Sequence, residues 1–310
     1  MLECPRNAPQ HLARAPIAEL AAWARANPHK AKLGRGTINH KGLGTISTLL
    51  EQARKDEHIR SNFATGQQLP TKVGDKTQRR PYTSEELDRV LRTSIYQLHP
   101  RIPVGGKGWA AWWLPLLGLF TGARLEELGQ ALVSDVKREN GIDYIEVTTL
   151  SDGDEDDGAA DKSLKSAAAR RRIPLHAKLI ELGFLDYVAF LKGTKATRLF
   201  PELDEYRGRY TKNWSCWWGR WLTKPELPDV ELTFHSFRHS FVAELRRLKC
   251  NVSIIKELIG HEQTDVTSQY GRTNHYLHEL ADLNAEIQRI TFAVLDLDHL
   301  VGSKPWRLPA

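Results

Sequence analysis

The apolar stretch AAWWLPLLGLF, at residues 110–120, constrains the fold of this 310-residue chain more than any other segment. It carries no charge, and hydrophobic residues make up 41% of the whole sequence, which is enough to build a core. A helix that spans a bilayer needs about 20 apolar residues. The stretch therefore predicts a buried helix of a globular domain, and no association with a membrane.

The hydrophobic periodicity of the remaining chain predicts a mainly α-helical protein with a small antiparallel β-sheet. Thr83 and Glu86 have the spacing of a capping box, which predicts that a helix begins there. Two further helices are predicted before that point, in PIAELAAWARAN and TINHKGLGTISTLLEQARKDEHI. Two segments predict an antiparallel pair of strands by their alternating, β-branched patterns. They are GIDYIEVTTL at 141–150 and RRRIPLH at 170–176.

Changes in composition divide the chain into four parts. A segment rich in Gly, Pro, Gln and Lys, ATGQQLPTKVGDKTQRRP, has the composition of a linker. The predicted boundaries are a helical domain at 1–70, a basic linker at 71–80, a larger domain at 81–290 and a C-terminal tail at 291–310.

Four tryptophans share one predicted helical face, because they recur at positions i, i+3, i+4 and i+7. They are Trp214, Trp217, Trp218 and Trp221. Such a stripe could stack on nucleic-acid bases, but this spacing more often belongs to a core. We expect these side chains to be buried.

The net charge of +6 is distributed unevenly. Residues 30–80 hold eleven Lys or Arg against four Asp or Glu, whereas five acidic residues crowd the segment 152–157. A basic region of this kind favours a polyanionic partner, with nucleic acid as the leading candidate. For the charge alone, an ordinary solvated surface is an equal alternative.

The three cysteines, Cys4, Cys216 and Cys250, are widely spaced and form no CxxC pair. This pattern argues against a disulfide scaffold or a zinc ribbon. The first ten residues, MLECPRNAPQ, have no apolar segment typical of a secretory signal. Together these features indicate a protein of the reducing cytoplasm.

The most informative motif is HSFRHSFVAELRRLKCNVSIIKELIGHEQTDVTSQYGR, at residues 235–272. A metal site is the first hypothesis, because His235 and His239 have the i, i+4 spacing of zinc-binding helices and His261 could add a third ligand. The zinc motif, however, needs Glu after the first histidine, where this chain has Ser236. Arg238 would also place a fixed positive charge in a cation site, so we expect no metal.

Arginine favours a ligand of the opposite sign, since a guanidinium offers paired donors to phosphate or carboxylate. A second candidate, Arg124, follows a glycine turn in LFTGARLEELGQALVSDV, and Glu127 lies one turn later and could support a buried positive group. Tyr270 has a weakly nucleophilic hydroxyl, which can attack phosphorus if cationic groups stabilise the developing charge. Each feature alone also fits an ordinary surface arginine or a packed tyrosine.

In combination, TGARLEEL, HSFRH and LIGHEQTDVTSQY resemble the motifs of the tyrosine recombinases, the phage integrase family. In that family the arginine of a T-G-x-R-x-x-E-L box is followed by H-x-x-R-H and by a G-H dipeptide nine residues before the nucleophilic tyrosine. His261 and Tyr270 are nine residues apart. The resemblance extends over residues 81–275 and implies a recombinase catalytic domain, preceded at 1–70 by a short helical domain that binds core DNA.

The resemblance implies a role for each motif residue. Arg124 and Arg238 would clamp the scissile phosphate while Tyr270 attacks it, which gives a 3′-phosphotyrosyl link and a 5′-hydroxyl. The residues implied to assist are His235 as general acid or base, His261 as a hydrogen-bond donor to the phosphate, Glu127 as a supporting carboxylate and His239 as a structural residue.

The family also uses a lysine on a β-hairpin to protonate the leaving 5′-oxygen. Lys165 fits this role best because it precedes the R-x-I-P-L strand, with Lys162 as the competitor. The acidic segment 152–157 before it departs from the family pattern.

The resemblance implies double-stranded DNA as the substrate, a homotetramer on DNA and no cofactor, neither metal nor ATP. In relatives a C-terminal segment packs on a neighbouring protomer. The residues expected to contact the DNA backbone from the linker are Lys72, Lys76, Arg79 and Arg80. A site-specific recombinase of a phage or other mobile element is the leading hypothesis; a non-catalytic DNA-binding protein, a type IB topoisomerase and a metallohydrolase remain the alternatives.

Overall fold

The computed structural model describes residues 16–26, 35–70, 80–97, 99–148, 170–223, 232–261, 276–292 and 295–301. The chain forms two compact units, Met1–Gln78 and Arg79–Ala310. Each is described by itself.

The first unit contains helices α1 (Ile17–Ala26), α2 (Arg35–Thr37) and α3 (Gly44–Lys55), with the π-helical segment Ile38–Leu43 between the last two. The side chain of Asn39 ties this region to the end of the unit: it donates to the Leu69 carbonyl at 2.9 Å and accepts from the Leu69 amide at 2.8 Å. Among the side chains described in this unit, none is fully buried. Polar contacts of this kind therefore contribute much of its local order.

The second unit is mainly helical and holds the core. Its helices are α4 (Ser84–Leu91), α5 (Ala110–Thr121), α6 (Leu125–Gly129), α7 (Ala177–Glu181), α8 (Phe184–Gly193), α9 (Lys212–Trp221), α10 (Phe234–Arg247), α11 (Val252–Ile259) and α12 (Leu280–Gln288). Its strands are β1 (Val136–Glu139), β2 (Ile142–Val147) and β3 (Arg171–Pro174). The capping box predicted at Thr83 is confirmed: Thr83 Oγ1 accepts from the Glu86 amide, and the Glu86 carboxylate accepts from the Thr83 amide.

The predicted buried helix is α5, in which every residue is buried. It packs against α10. The approach is close at Gly118, where an added Cβ would lie 2.7 Å from Phe234 Cζ. Because α10 carries the HSFRH motif and α6, with TGARLEEL, begins just after α5, this helix pair brings the two motifs together.

The tryptophan stripe belongs to the core, as expected. All four tryptophans of α9 are buried, and the rings of Trp214 and Trp218 stack with centroids 5.4 Å apart. Trp214 Nε1 donates to the Gly106 carbonyl at 3.0 Å. The stripe thus anchors α9 and presents no stacking platform for bases.

The three strands form one antiparallel sheet in the order β1-β2-β3. The predicted pairing of β2 with β3 is confirmed, with Val147 opposite Arg171 and Tyr144 opposite Pro174. Strand β1, with the sequence VKRE, was not predicted. It is short, and three of its four residues are charged, so only its pairing with β2 marks it as a strand.

The end of the described chain packs on its own unit. Helix α12 lies against β3, where Gln288 donates to the Leu175 carbonyl at 3.0 Å and accepts from the Ala177 amide at 2.9 Å. Phe292, Leu297 and Leu300 of the predicted tail are buried in the core. The residues described in this segment are therefore part of the folded unit.

Across the part of the chain that the structure describes, every helix is too short or too polar to span a bilayer.

Candidate active site

Arg124 is held at the junction of two helices. Gly122 ends α5 in the left-handed conformation, with a φ of +62°, which glycine adopts without strain. Arg124 is the N-cap of α6, and its backbone amide donates to Glu127 Oε2 at 2.7 Å. Its side chain donates from Nη1 to Glu127 Oε1 at 2.7 Å and remains partly exposed. The glycine turn and the acidic residue of the motif therefore aim one guanidinium.

Arg238 approaches from α10 and is buried, with 5% of its surface exposed. Its Nη1 donates to the Gly122 carbonyl at 2.8 Å, and its Nη2 donates to the Ile259 carbonyl at 2.5 Å. Within the described residues no carboxylate forms an ion pair with Arg238. Backbone carbonyls orient this guanidinium but do not neutralise its charge.

Arg171 is a third guanidinium in this cluster, and none of the sequence motifs predicted a role for it. It is 1% exposed and contacts Glu127 through two hydrogen bonds, of 2.7 Å from Nη2 and 3.3 Å from Nη1. A signal was present in the predicted strand: side chains alternate between faces, so Arg171 shares the inward face with buried Ile173. An arginine at such a position must find a buried partner.

Two guanidiniums, those of Arg124 and Arg171, therefore bind the one carboxylate of Glu127, and the guanidinium of Arg238 lies near enough to interact with their charges. Burial by itself raises the pKa of Glu127, but the charge and hydrogen bonds of Arg171, together with those of Arg124, outweigh it and hold the pKa at about 2. Burial, and then the charges of Arg171 and Arg124, lower the pKa of Arg238 to about 9. The shift at Glu127 reports the guanidiniums that bind it, and the shift at Arg238 reports its burial first and the neighbouring positive charges second.

The two histidines of the HSFRH motif lie together on α10. The rings of His235 and His239 are 4.9 Å apart between centroids and nearly perpendicular, and both side chains are half-buried. His261 is exposed and follows Gly260, which ends α11 in the left-handed conformation with a φ of +63°. Among the described residues, no three His, Cys, Asp or Glu side chains are grouped so that they could hold a metal ion.

Tyr276, the other tyrosine of this region, contacts the sheet. Its hydroxyl donates to Glu146 Oε1 at 2.9 Å, and the Arg172 guanidinium lies 4.2 Å from its ring centroid. Burial, and then the hydrogen bond and charge of Glu146, raise the pKa of Tyr276 above its ordinary value. Its phenolate is therefore harder to form than that of a solvent-exposed tyrosine.

Several predicted residues lie outside the described part of the chain. They are Lys72, Lys76, Arg79, Lys162, Lys165 and Tyr270. Arg80 is described, and its guanidinium binds the Glu86 carboxylate through hydrogen bonds of 2.6 and 2.7 Å. The described cluster thus comprises Arg124, Glu127 and Arg238 as predicted, with Arg171 added.

Comparison with known proteins identifies the family to which the chain belongs. The model of the phage integrase family matches residues 113–276, which is more than half of the chain. No curated protein sequence matches the chain.

Among solved structures, the Tn1549 transposon integrase in complex with transposon right end DNA is 20% identical, with a TM-score of 0.51, and the match covers 92% of this chain and 87% of that one. The same integrase with a circular intermediate DNA is 19% identical, with a TM-score of 0.50, and covers 89% and 87%. A lambda integrase dimer bound to a COC′ core site is 17% identical, with a TM-score of 0.44, and covers 86% and 72%.

Proposed function

Because the chain belongs to the phage integrase family and is a tyrosine-type site-specific recombinase, we propose that it cleaves and rejoins double-stranded DNA through Tyr270. The observation that carries this proposal is a cluster of three guanidiniums, of which Arg124 and Arg171 bind the carboxylate of Glu127 and Arg238 binds backbone carbonyls. Buried positive charge in excess of its partners favours an anion, and a guanidinium fork matches two oxygens of a phosphate. The cluster suits a phosphodiester.

The proposed chemistry conserves bonds and charge. The Tyr270 oxygen attacks phosphorus and forms a P–O bond, while the bond from phosphorus to the 5′-oxygen breaks. His235 takes the tyrosine proton, and Lys165 gives a proton to the leaving 5′-oxygen. The reverse attack by a 5′-hydroxyl of another strand rejoins the DNA, so the energy of the cleaved bond is kept in the phosphotyrosine.

Each described residue has a proposed part in this step. Arg124 and Arg238 bind the non-bridging oxygens and stabilise the charge that develops on them, in a site where burial strengthens electrostatic interactions. His261, at the exposed end of α11, donates a further hydrogen bond to the phosphate. Glu127 keeps the guanidinium of Arg124 in place through its 2.7 Å contact.

The wider assembly is also proposed. Residues 1–70 would bind DNA next to the site of cleavage, and the linker cations Lys72, Lys76, Arg79 and Arg80 would contact its backbone. Such contacts weaken as salt rises. Four protomers would act together on two DNA sites. The DNA would belong to a phage or another mobile element.

A covalent-trapping experiment tests the proposal. The protein is mixed with a pool of randomised DNA duplexes in which one bridging 5′-oxygen is replaced by sulfur, so that the thiol formed on cleavage rejoins poorly and the adduct accumulates. We expect an adduct that survives SDS, with the DNA attached at Tyr270 by mass spectrometry. Tyr270→Phe should form none. A protein that binds these duplexes but forms no adduct would be a non-catalytic DNA-binding protein.

The same substrate separates Lys165 from Lys162. A thiol leaving group has a pKa near 8.5 and needs no general acid. If Lys165 is the acid, Lys165→Ala should cleave the sulfur-substituted duplex and fail on the ordinary one, while Lys162→Ala should cleave both. The opposite result would move the role to Lys162. Relaxation of supercoiled plasmid without preference for a site would instead indicate a topoisomerase.

A further inference from the structure

Three consecutive carbonyls at the end of α11 each accept a hydrogen bond from a different arginine. The last carbonyls of a helix have no partner within it and carry the negative end of its dipole, so cations are favoured there. The three contacts are Arg171 Nε to Leu258 O at 2.7 Å, Arg238 Nη2 to Ile259 O at 2.5 Å and Arg124 Nη2 to Gly260 O at 3.3 Å.

These arginines come from three different elements, since Arg171 lies on β3, Arg238 lies on α10 and Arg124 precedes α6. The end of α11 is therefore the point where the sheet and two helices are joined. His261 follows at once, and its amide donates to the Lys256 carbonyl at 2.9 Å, which completes the helix terminus. Any displacement of these carbonyls would move His261.

Arg171 differs from the other two arginines in how its nitrogens are used. Its side chain is 1% exposed, against 27% for Arg124, while Arg238, which is 5% exposed, donates from its two Nη atoms to backbone carbonyls. All three nitrogens of Arg171 donate within the protein, Nε to Leu258 and both Nη atoms to Glu127. A phosphate of DNA has no access to it, so its effect on a bound phosphodiester must pass through its partners.

We propose that Arg171 is a positioning residue for the reaction, which acts through Glu127 on the guanidinium of Arg124 and through Leu258 on the end of α11 and His261. The inference rests on the proposed function. It assigns a role in phosphate positioning to a residue that does not touch the phosphate. Glu127 is the shared element: Oε2 binds the Arg124 amide and Arg171 Nη2, each at 2.7 Å, and Oε1 binds Arg124 Nη1.

The geometry requires arginine at this position. A planar guanidinium donates along fixed directions from Nε and both Nη atoms, whereas a lysine ammonium is a compact charge at the end of a flexible stem. Lysine would preserve the charge beside Glu127 but would not hold Glu127 and the Leu258 carbonyl together. Arg171→Lys therefore keeps the positive charge at this position and removes the planar set of donors, so it tests the two properties separately.

The first test compares Arg171→Lys and Arg171→Met with Arg138→Met, which removes an exposed guanidinium from β1 of the same sheet. Single-turnover cleavage of the trapping duplex is measured at saturating protein, and the dissociation constant for the same duplex is measured at fixed salt. We expect both Arg171 variants to cleave about 10²-fold more slowly, as displaced catalytic groups do, with an unchanged dissociation constant. Arg138→Met should cleave at the wild-type rate.

A second readout follows the imidazole of His261 by NMR on histidine-labelled protein. In Arg171→Lys its resonances should move, because the Leu258 carbonyl, three residues before His261 at the end of α11, has lost its donor, whereas Arg138→Met should leave them in place. Cleavage by Arg171→Lys at the wild-type rate, or His261 resonances that stay in place in this variant, would overturn the inference.

A third measurement uses wild-type protein alone and holds even if the variants fail to fold. Inorganic phosphate is titrated into arginine-labelled protein, and the Nε–H resonances are followed. Those of Arg124 and Arg238 should shift, while that of Arg171 stays fixed. A shift of Arg171 as large as theirs would make it a phosphate ligand and overturn the positioning role.

The outcomes distinguish this inference from the proposed function. If wild-type protein forms no covalent adduct with any duplex, the proposed function fails. If wild-type protein forms the adduct and Arg171→Lys forms it at the same rate, only the positioning role fails.

Discussion

The carboxylate of Glu127 binds the guanidinium of Arg171 at 2.7 Å, and both residues are buried, with 8% of Glu127 and 1% of Arg171 exposed. A pair of this kind couples the site to the stability of the fold. Removing one partner of a buried ion pair is strongly destabilising because the other charge is left without compensation. The same carboxylate binds Arg124, so a change at Glu127 alters both the fold and the site.

The pH dependence of stability should report this pair. The pKa of Glu127 is depressed from 4.5 to about 2, so its contribution is complete above pH 4.5 and is lost as the pH falls towards 2. By linkage the contribution at neutral pH is about 3 kcal/mol. We expect Glu127→Gln to be less stable than wild type at pH 7, and the difference in unfolding free energy to shrink at pH 3. Urea denaturation at both pH values measures it, and a difference that stays constant would contradict the assignment.

Much of this site could be predicted from the sequence, because its motif residues carry chemistry in their side chains. The spacing in TGARLEEL predicts that Glu127 lies one helical turn from Arg124, and the contact is present. The partners of Arg238 could not be predicted, since they are the carbonyls of Gly122 and Ile259, and a carbonyl has no sequence signature.

The missed elements depend on pairing between distant segments. Arg171 is buried because β3 pairs with β2 in a register that turns it inward, and β1 is a strand only because β2 lies beside it. Local patterns do not fix such registers. The buried helix and the tryptophan stripe were predicted correctly, because the signal for each lies within one segment. For the helix it is an uninterrupted apolar run, and for the stripe it is the helical spacing of the tryptophans.

Gly122 should be sensitive to substitution for two separable reasons. Its φ is +62°, and an added Cβ would lie 2.4 Å from Phe241 Cδ1. Gly141→Ala is the matched control, because its φ is +81° but no atom lies within 4 Å of the added Cβ. Both variants should lose about 1–2 kcal/mol from the left-handed backbone, and Gly122→Ala should lose about 1–3 kcal/mol more from overpacking.

The midpoint of urea unfolding measures this difference. Because the Gly122 carbonyl binds Arg238, Gly122→Ala should also weaken the stabilisation of the protein by inorganic phosphate, and Gly141→Ala should not. Equal losses of stability in the two variants would show that the contact with Phe241 is relieved at no cost.

Tyr276 should be dispensable for covalent attachment. Tyr276→Phe removes the 2.9 Å hydrogen bond to Glu146, whose other oxygen keeps Lys137 at 2.9 Å. We expect a loss of stability of about 1 kcal/mol, typical of one hydrogen bond, and an SDS-resistant adduct that still forms on the trapping duplex. Tyr270→Phe should form none. Loss of the adduct in Tyr276→Phe alone would assign the nucleophile to Tyr276.

Leu277 and His278, which follow Tyr270 by seven and eight positions in the sequence, are held by Glu257 of α11. Its carboxylate accepts from the amides of Leu277 and His278 at 3.1 Å and contacts His278 Nδ1 at 2.5 Å. Glu257→Ala removes these acceptors together. Hydrogen bonds to a charged group contribute about 1.5–3 kcal/mol, so the two amides should exchange their hydrogens on the order of tenfold to hundredfold faster.

The control for this change is Glu279→Ala, which removes a neighbouring exposed carboxylate that makes no capping hydrogen bond to α12. Amide exchange in this variant should match wild type at both positions. Under the proposed function, Glu257→Ala should also slow cleavage of the trapping duplex while DNA binding is kept, because the segment that carries Tyr270 loses its downstream attachment. Unchanged exchange at Leu277 and His278 would mean that other contacts hold this part of the chain.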